Sequence, residues 1–499
     1  MTHLNAEALN ELSPLVGVPP YDRSAIATGI VHLGVGGFHR AHQAVYLDRL
    51  MQDGKAMQWG ICGVGVLAHD LRMRDVLRAQ DCLYTVIVKH PDGRLEPRVI
   101  GSIVEFLFAP DDPEAVLETM AAATTRIVSL TVTEGGYHVH PVTRELDATA
   151  PALQHDLVEG SQPESAFGLI VESLARRRAR GIAPFTVMSC DNILGNGHVA
   201  RAMIVAFARL KDPELAEWIE REVAFPNSMV DRITPVTTDA DRAALSERFG
   251  IDDAWPVVCE PFTQWVLEDH FADGRPEWED AGVQVVDDVV PYELMKLRLL
   301  NCSHQALSYL GYLAGYRYAH EVCADPLFAD FLLAYMDLEA TPTLAPVPGV
   351  DLYSYKRTLV ARFANPEIRD TLARLCAESS DRIPNWMVPV INEQLAAGGS
   401  VLILALIVAS WARYAEGIDE QGEHIEIVDR LRDRVMAAAA RQREQPLAFL
   451  EDRQLFGDLV DDERFTEAYL AALASLHTVG ARATLEAFAA SGLANAESR

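Results

Sequence analysis

A lysine, an amide and an imidazole share one otherwise apolar stretch, MKLRLLNCSHQALSYL, at positions 295–310. The run reads as a helix. With Lys296 at 0° and ~100° per residue, His304 lies at roughly 80° and Asn301 at roughly 140°. Glu293 falls at roughly 60°, and Arg298 at roughly 200°, outside that arc. A solvated face would hold more charge and less leucine. A face given wholly to the core would hold no lysine. An amphipathic helix with its polar residues at a wet edge produces the same pattern, so the stretch alone leaves a structural and a chemical reading open.

A second stretch, IVHLGVGGFHRAHQ, places Gly34, Gly36 and Gly37 between a first strand and a first helix. Gly34 would permit a tight turn, Gly36 a close approach of backbone to a pyrophosphate, and the helix N-terminus would offer free N–H groups. The G-x-G-x-x-G fingerprint is incomplete, because His39 stands where the third glycine belongs. A tight turn alone would also use such glycines, but the strand–loop–helix context favours a dinucleotide. Asp70, past the second strand, would accept the ribose hydroxyls and repel a 2′-phosphate, so NAD is expected over NADP. It comes later than the usual ~20-residue spacing, and His69 and Arg72 beside it leave room for that phosphate.

A dinucleotide with no H-E-x-x-H motif or Cys/His ligand cluster suggests hydride transfer assisted by a side-chain base, with no metal expected. Lys296 is the candidate base, since burial beside a cationic nicotinamide would favour its neutral amine. Asn301 can donate to the alkoxide that forms. Asn192, in SCDNILGNG, follows the strand FTVMSC at a carboxyl end of the sheet, where ligands usually bind; an Asx turn or helix cap is its structural alternative. Tyr292 and Lys296 also match the Y-x-x-x-K spacing of short-chain dehydrogenases. The glycine loop lacks that family's arrangement and the pair opens a helical domain, so Tyr292 is assigned to packing.

The elements that must carry these groups follow from length and pattern. The chain has 499 residues, 49% of them hydrophobic, which supports two or three domains with large cores. A net charge of −29 argues against nucleic acid or an anionic membrane as partner. VLILALIVASWA, from Val401, is too short to span a bilayer and reads as a buried helix. No signal peptide is apparent, and seven scattered cysteines without a C-x-x-C pair suggest reduced thiols in the cytoplasm. Up to about residue 290, apolar runs from Gly29, Trp59, Cys82, Arg126 and Phe185 alternate with helical stretches, predicting an α/β, Rossmann-type parallel sheet. Beyond it the periods are helical, with one Pro-rich loop, LAPVPGVDLYSY. The expected domains are 1–288, NAD-binding, and 289–499, mainly α-helical and substrate-binding. The tail GLANAESR is expected to fray.

Several stretches carry a resemblance over nearly the whole length: GVGGFHRAHQA, SLTVTEGGY, FTVMSCDN, FPNSMVDRITP, WPVVCEPFTQWVLEDHFADGRP and PYELMKLRLLNCSH. With its K-x-x-x-x-N-x-x-H signature, the chain resembles the polyol-specific long-chain dehydrogenases of the mannitol dehydrogenase family, and within it the enzymes acting at C2 of mannitol. The resemblance implies a monomeric, metal-independent enzyme that oxidises D-mannitol to D-fructose with NAD, and the reverse. It makes Lys296 the general base, Asn192 and Asn301 the amides on the substrate oxygen, and His304 the imidazole that orients the hydroxyl. Asp231 and Arg374 match substrate-contacting positions, and Arg382, in ESSDRIP, stands where relatives often have lysine. The residues Gly34, Val35, Gly36, Gly37, Phe38, His39 and Arg40 would hold the cofactor together with Asp70. Glu293 is a candidate proton relay on position alone. D-arabinitol dehydrogenase and fructuronate or tagaturonate reductase are alternatives within the family; a non-catalytic NAD sensor is one outside it.

Overall fold

The computed structural model describes residues 1–140 and 143–492. Most of the tail expected to fray, 493–499, lies outside them. The chain forms two units, Met1–Val290 and Pro291–Arg499.

In the first unit, β1 (Thr28–Leu33), β2 (Gly60–Gly65), β3 (Ile103–Phe108), β4 (Ile127–Leu130) and β5 (Thr186–Ser189) form a five-stranded sheet in the order β3-β2-β1-β4-β5. Every pairing in it is parallel, with Val31 of β1 opposite Cys62 on one side and Val128 on the other. The order reverses direction at β1, so the loops after β1 and β4 flank the topological switch point, where open α/β sheets bind ligands.

The strands read as continuous apolar runs because both faces are covered. Val31, Leu33, Val128, Leu130 and Val187 pack with Phe167, Ile170 and Leu174 in one core. Ile30, Ile61, Ile127 and Met188 pack with Val45, Leu47 and Leu50 in another. Truncating the fully buried Phe167 to alanine would cost about 3–5 kcal/mol. Its helix, Ala166–Arg180, has both ends fixed locally: the Ser165 hydroxyl accepts from Gly168 N–H at 2.9 Å, and Gly181 closes it at φ 67°.

One strand assignment is corrected. The run from Cys82 forms Tyr84–Lys89, which lies outside the parallel sheet, between antiparallel Leu95–Ile100 and parallel Val257–Cys259. Its apolar residues face both ways because Tyr84 and Val86 belong to one core and Leu83 and Ile87 to another. The sheet position goes instead to β3, at the edge, where Val104 and Glu105 are not buried and interrupt the apolar pattern.

The second unit is helical; among its described residues no strand occurs beyond isolated bridges. The Val401 run forms Leu402–Tyr414, a buried helix as expected. Its first turn is held by the buried carboxylate of Glu339, which accepts from Ile403 N–H at 3.0 Å and Leu404 N–H at 2.8 Å. All seven cysteines are buried free thiols. No helix of the described residues is long and apolar enough to cross a membrane.

Candidate active site

The glycine loop leaves β1 through a strained turn. Gly34 sits at φ +93°, and a Cβ there would lie 2.2 Å from the Thr131 carbonyl oxygen, so only glycine fits. Its own carbonyl accepts from Gly36 N–H at 2.7 Å and from the Thr131 hydroxyl at 2.6 Å. Because Thr131 donates there, its oxygen accepts from His32 Nε2 at 2.9 Å, and the Ser129 hydroxyl donates to His32 Nδ1 at 2.8 Å. Burial pushes the His32 imidazole down to about 3, which keeps this chain of bonds neutral. Gly36 differs: the nearest atom to a Cβ there is 4.0 Å away. Packing does not demand glycine at Gly36, whereas close approach of a pyrophosphate would. The residues thus fit a dinucleotide at the switch point.

The side chains that follow turn inward. His39 is 1% exposed and stacks on His32 with ring centroids 3.4 Å apart. Arg40 donates to the Trp255 carbonyl at 2.6 Å and lies over the Tyr84 and Trp255 rings. Val35 is buried, and Phe38 stacks on His42. Any contact of Val35, His39 or Arg40 with a cofactor therefore runs through backbone. The expected single N-terminal helix is two pieces, Gly37–Ala41 and Gln43–Gln52, broken at His42. Asp70 comes late because these two pieces and the turn after them precede β2, and because it lies five residues past the end of that strand.

Asp70 follows β2. Its Oδ2 accepts from Val66 N–H at 3.0 Å and Leu67 N–H at 2.9 Å, and Oδ1 lies 3.6 Å from His69 Nε2, beyond a hydrogen bond. That oxygen keeps acceptor capacity for a ribose hydroxyl.

Asn192 is exposed in the bend after β5. The next helix, Asn196–Lys211, starts at Gly195 without a side-chain cap, so Asn192 is not its cap. The residue before it, Asp191, was missed in the sequence. Its buried carboxylate accepts from Val132 N–H, Thr133 N–H and the Tyr137 hydroxyl, at 3.1, 2.8 and 2.7 Å. It ties the β4 loop, with Thr133 at φ +63°, to the β5 loop. Asn196 extends the brace, donating to the Asp191 and Ser228 carbonyls at 3.0 and 2.7 Å. Ser228 opens the strand Ser228–Asp231 that ends on buried Asp231. No local pattern announces these long-range bonds.

In the second unit, Lys296 and Asn301 are the two ends of a π-helical segment, Lys296–Asn301, set between Val290–Met295 and Cys302–Leu313. The ideal-helix angles are corrected by it. Hydrogen bonds from i to i+5 bring residues five apart over one another, closing much of the roughly 140° that regular winding leaves between them. Such segments recur at functional sites. Glu293, Lys296, Arg298 and Asn301 are all buried. Arg298 points away to Glu393 and the Thr343 carbonyl. The Tyr292 hydroxyl donates to the Pro348 carbonyl at 2.7 Å, a packing role.

His304 lies against the Phe363 ring, centroids 4.8 Å apart, near Asp370, Arg374, Arg382 and Arg362. Burial drives its imidazole down to about 3, so it is neutral near pH 7. Arg374 pairs through two nitrogens with Asp370. Arg382 donates to the Leu375 carbonyl at 2.8 Å and lies over Trp386. Among the described residues no group of three His, Cys, Asp or Glu side chains could hold a metal.

Two family descriptions match the chain: "Mannitol dehydrogenase Rossmann domain" over residues 28–280 and "Mannitol dehydrogenase C-terminal domain" over 288–477. The chain belongs to the mannitol dehydrogenase family. It is 48% identical over 493 residues to the mannitol 2-dehydrogenase of Aspergillus fumigatus, covering 97% of this chain and 98% of that one. It is similar to the ternary complex of Pseudomonas fluorescens mannitol 2-dehydrogenase with NAD and D-mannitol, at 47% identity and TM-score 0.87, covering 98% and 100%. A D-sorbitol dehydrogenase in substrate-free form matches at 35% identity and TM-score 0.91, covering 97% and 100%. In this family member both halves thus have full-length counterparts.

Proposed function

We propose that this protein is an NAD-dependent mannitol 2-dehydrogenase, which oxidises D-mannitol at C2 to D-fructose and runs the reverse reaction. The observation that carries the reading is the full-length likeness to a relative solved with NAD and D-mannitol. NAD, when bound, supplies the hydride acceptor. The Gly34–Gly37 turn would hold its pyrophosphate and Asp70 its ribose.

The chain's own residues handle the substrate's oxygen and proton. Neutral Lys296 takes the C2 hydroxyl proton as the C2 hydrogen departs with its electron pair, leaving a ketone. Asn192 and Asn301 donate to that oxygen as negative charge builds on it. His304, held neutral, orients the hydroxyl, and Asp231, Arg374 and Arg382 contact the rest of the polyol. Glu293 passes the proton onward from Lys296. The protein acts as a cytoplasmic monomer, which size-exclusion chromatography would test.

The uronate alternative needs a cationic carboxylate clamp; Arg374 already pairs with Asp370, which leaves that role to Arg382. The likeness to a D-sorbitol dehydrogenase makes D-sorbitol the second substrate to assay. NAD reduction with D-mannitol, D-arabinitol and D-sorbitol, beside NADH oxidation with D-fructose and fructuronate, tests the assignment. Highest kcat/KM on D-mannitol and D-fructose is expected; a preference for fructuronate would refute it.

A further inference from the structure

A π-segment leaves one helical carbonyl without its usual donor, and here the loss falls on Arg298. Cys302 N–H bonds to the Leu297 carbonyl, an i to i+5 link. When spacing returns to i+4, the Arg298 carbonyl is passed over. A buried carbonyl with no donor would favour collapse of the segment into regular winding. Tyr335, wholly buried, donates its hydroxyl to that carbonyl at 2.9 Å. Tyr335 itself opens a second π-segment, Tyr335–Ala340. The Arg298 guanidinium is held as well, donating to Glu393 at 2.6 and 2.7 Å and to the Thr343 carbonyl at 2.6 Å. Arg298 is pinned through backbone and side chain, between Lys296 and Asn301.

The geometry points to Tyr335, Arg298 and Glu393 as positioning residues that hold the π-segment open and so set the angle between Lys296 and Asn301. The inference rests on the proposed roles of Lys296 as base and Asn301 as donor to the substrate oxygen. None of the three needs to touch the reacting atoms. Without the Tyr335 hydroxyl, regular winding would rotate Asn301 away from Lys296, and the two would no longer serve one C2 oxygen.

The test compares full-length Y335F, E393Q and K296A with wild type by steady-state kinetics against pH, NADH binding by fluorescence, and thermal melting. Y335F is expected to melt cooperatively, bind NADH within about twofold of wild type and lose about 10- to 100-fold in kcat, the scale that small misplacements bring. Its pH profile should shift, a change that loss of stability alone would not cause. E393Q should lose about threefold, because its carboxylate is half exposed and the ion pair correspondingly weaker. A folded Y335F with wild-type kcat beside an inactive K296A would overturn the positioning roles and leave the base standing. An active K296A would overturn both. If Y335F does not fold, E393Q decides: an unchanged kcat and pH profile overturns the inference.

Discussion

The two regions that carry the proposed chemistry are built on opposite principles. The loop from Gly34 to Arg40 offers backbone, and the side chains quoted with it turn inward: His39 stacks on His32 and Arg40 bonds the Trp255 carbonyl. The Lys296–Asn301 segment offers side chains, and its backbone is what departs from the ordinary. A site made of backbone depends on its turn, with its side chains serving the packing that holds the turn. A site made of side chains depends on the phase of the helix that presents them.

The sharpest way to break this contrast is at the turn. Gly34→Ala must fit a Cβ 2.2 Å from a carbonyl oxygen at φ +93°. The strained φ alone costs about 1–3 kcal/mol, and the contact adds about 1–3 kcal/mol more. A clear fall in Tm and loss of NADH binding are expected. Gly36→Ala meets nothing closer than 4.0 Å, so its Tm should stay near wild type while KM for NAD rises. Equal melting losses in both variants would erase the distinction between a turn glycine and a ligand glycine.

Among the side chains proposed to act on the substrate, Asn301→Ala in the π-segment and Asn192→Ala in the bend after β5 should each lower kcat by ~10²-fold or more, as loss of one donor to a developing alkoxide does, with NADH affinity kept. An unchanged kcat in the Asn192 variant would confine that bend to structure.

Two smaller effects sharpen the comparison. Asp70→Ala should narrow the preference for NAD over NADP by about tenfold, through affinity, since a like-charge repulsion of that order is removed. A wild type indifferent to the 2′-phosphate would remove Asp70 as selector. His32 and His304, each pushed down to about 3, remain neutral when folded while the unfolded chain takes up protons below its ordinary imidazole value. The folded state binds fewer protons, so stability is full above about pH 6.5 and falls as pH drops toward 3, by at most ~1.4 kcal/mol per unit for each imidazole. Denaturant melts from pH 8 to 4 should show this slope, and it should shrink in His304→Gln.

Much of this was legible in the sequence. Alternating apolar runs imply a doubly covered parallel sheet, and the glycine spacing marks its switch point. The types on the 295–310 stretch suggest the chemistry proposed for it. What stayed hidden depends on long-range packing. An apolar run cannot say which sheet it joins, so the pattern alone puts Tyr84–Lys89 in the parallel sheet and skips Ile103–Phe108, which Glu105 breaks at an edge. Nothing local marks Asp191 as the brace between two loops, because its partners lie in the loop after another strand. The π-segment is invisible to a fixed ~100° per residue, which gives Lys296 and Asn301 the wrong angle to each other.

The central claim is that Lys296 takes the substrate proton, and chemical rescue tests it most directly. Lys296→Ala, measured with D-mannitol and NAD across pH, should lose on the order of 10²-fold or more, while NADH still binds. A small primary amine in the assay should restore part of the rate, rising with pH as the free amine increases. Tyr292→Phe, which loses only a bond to the Pro348 carbonyl, should stay active. An inactive Tyr292→Phe beside an active Lys296→Ala would contradict the account.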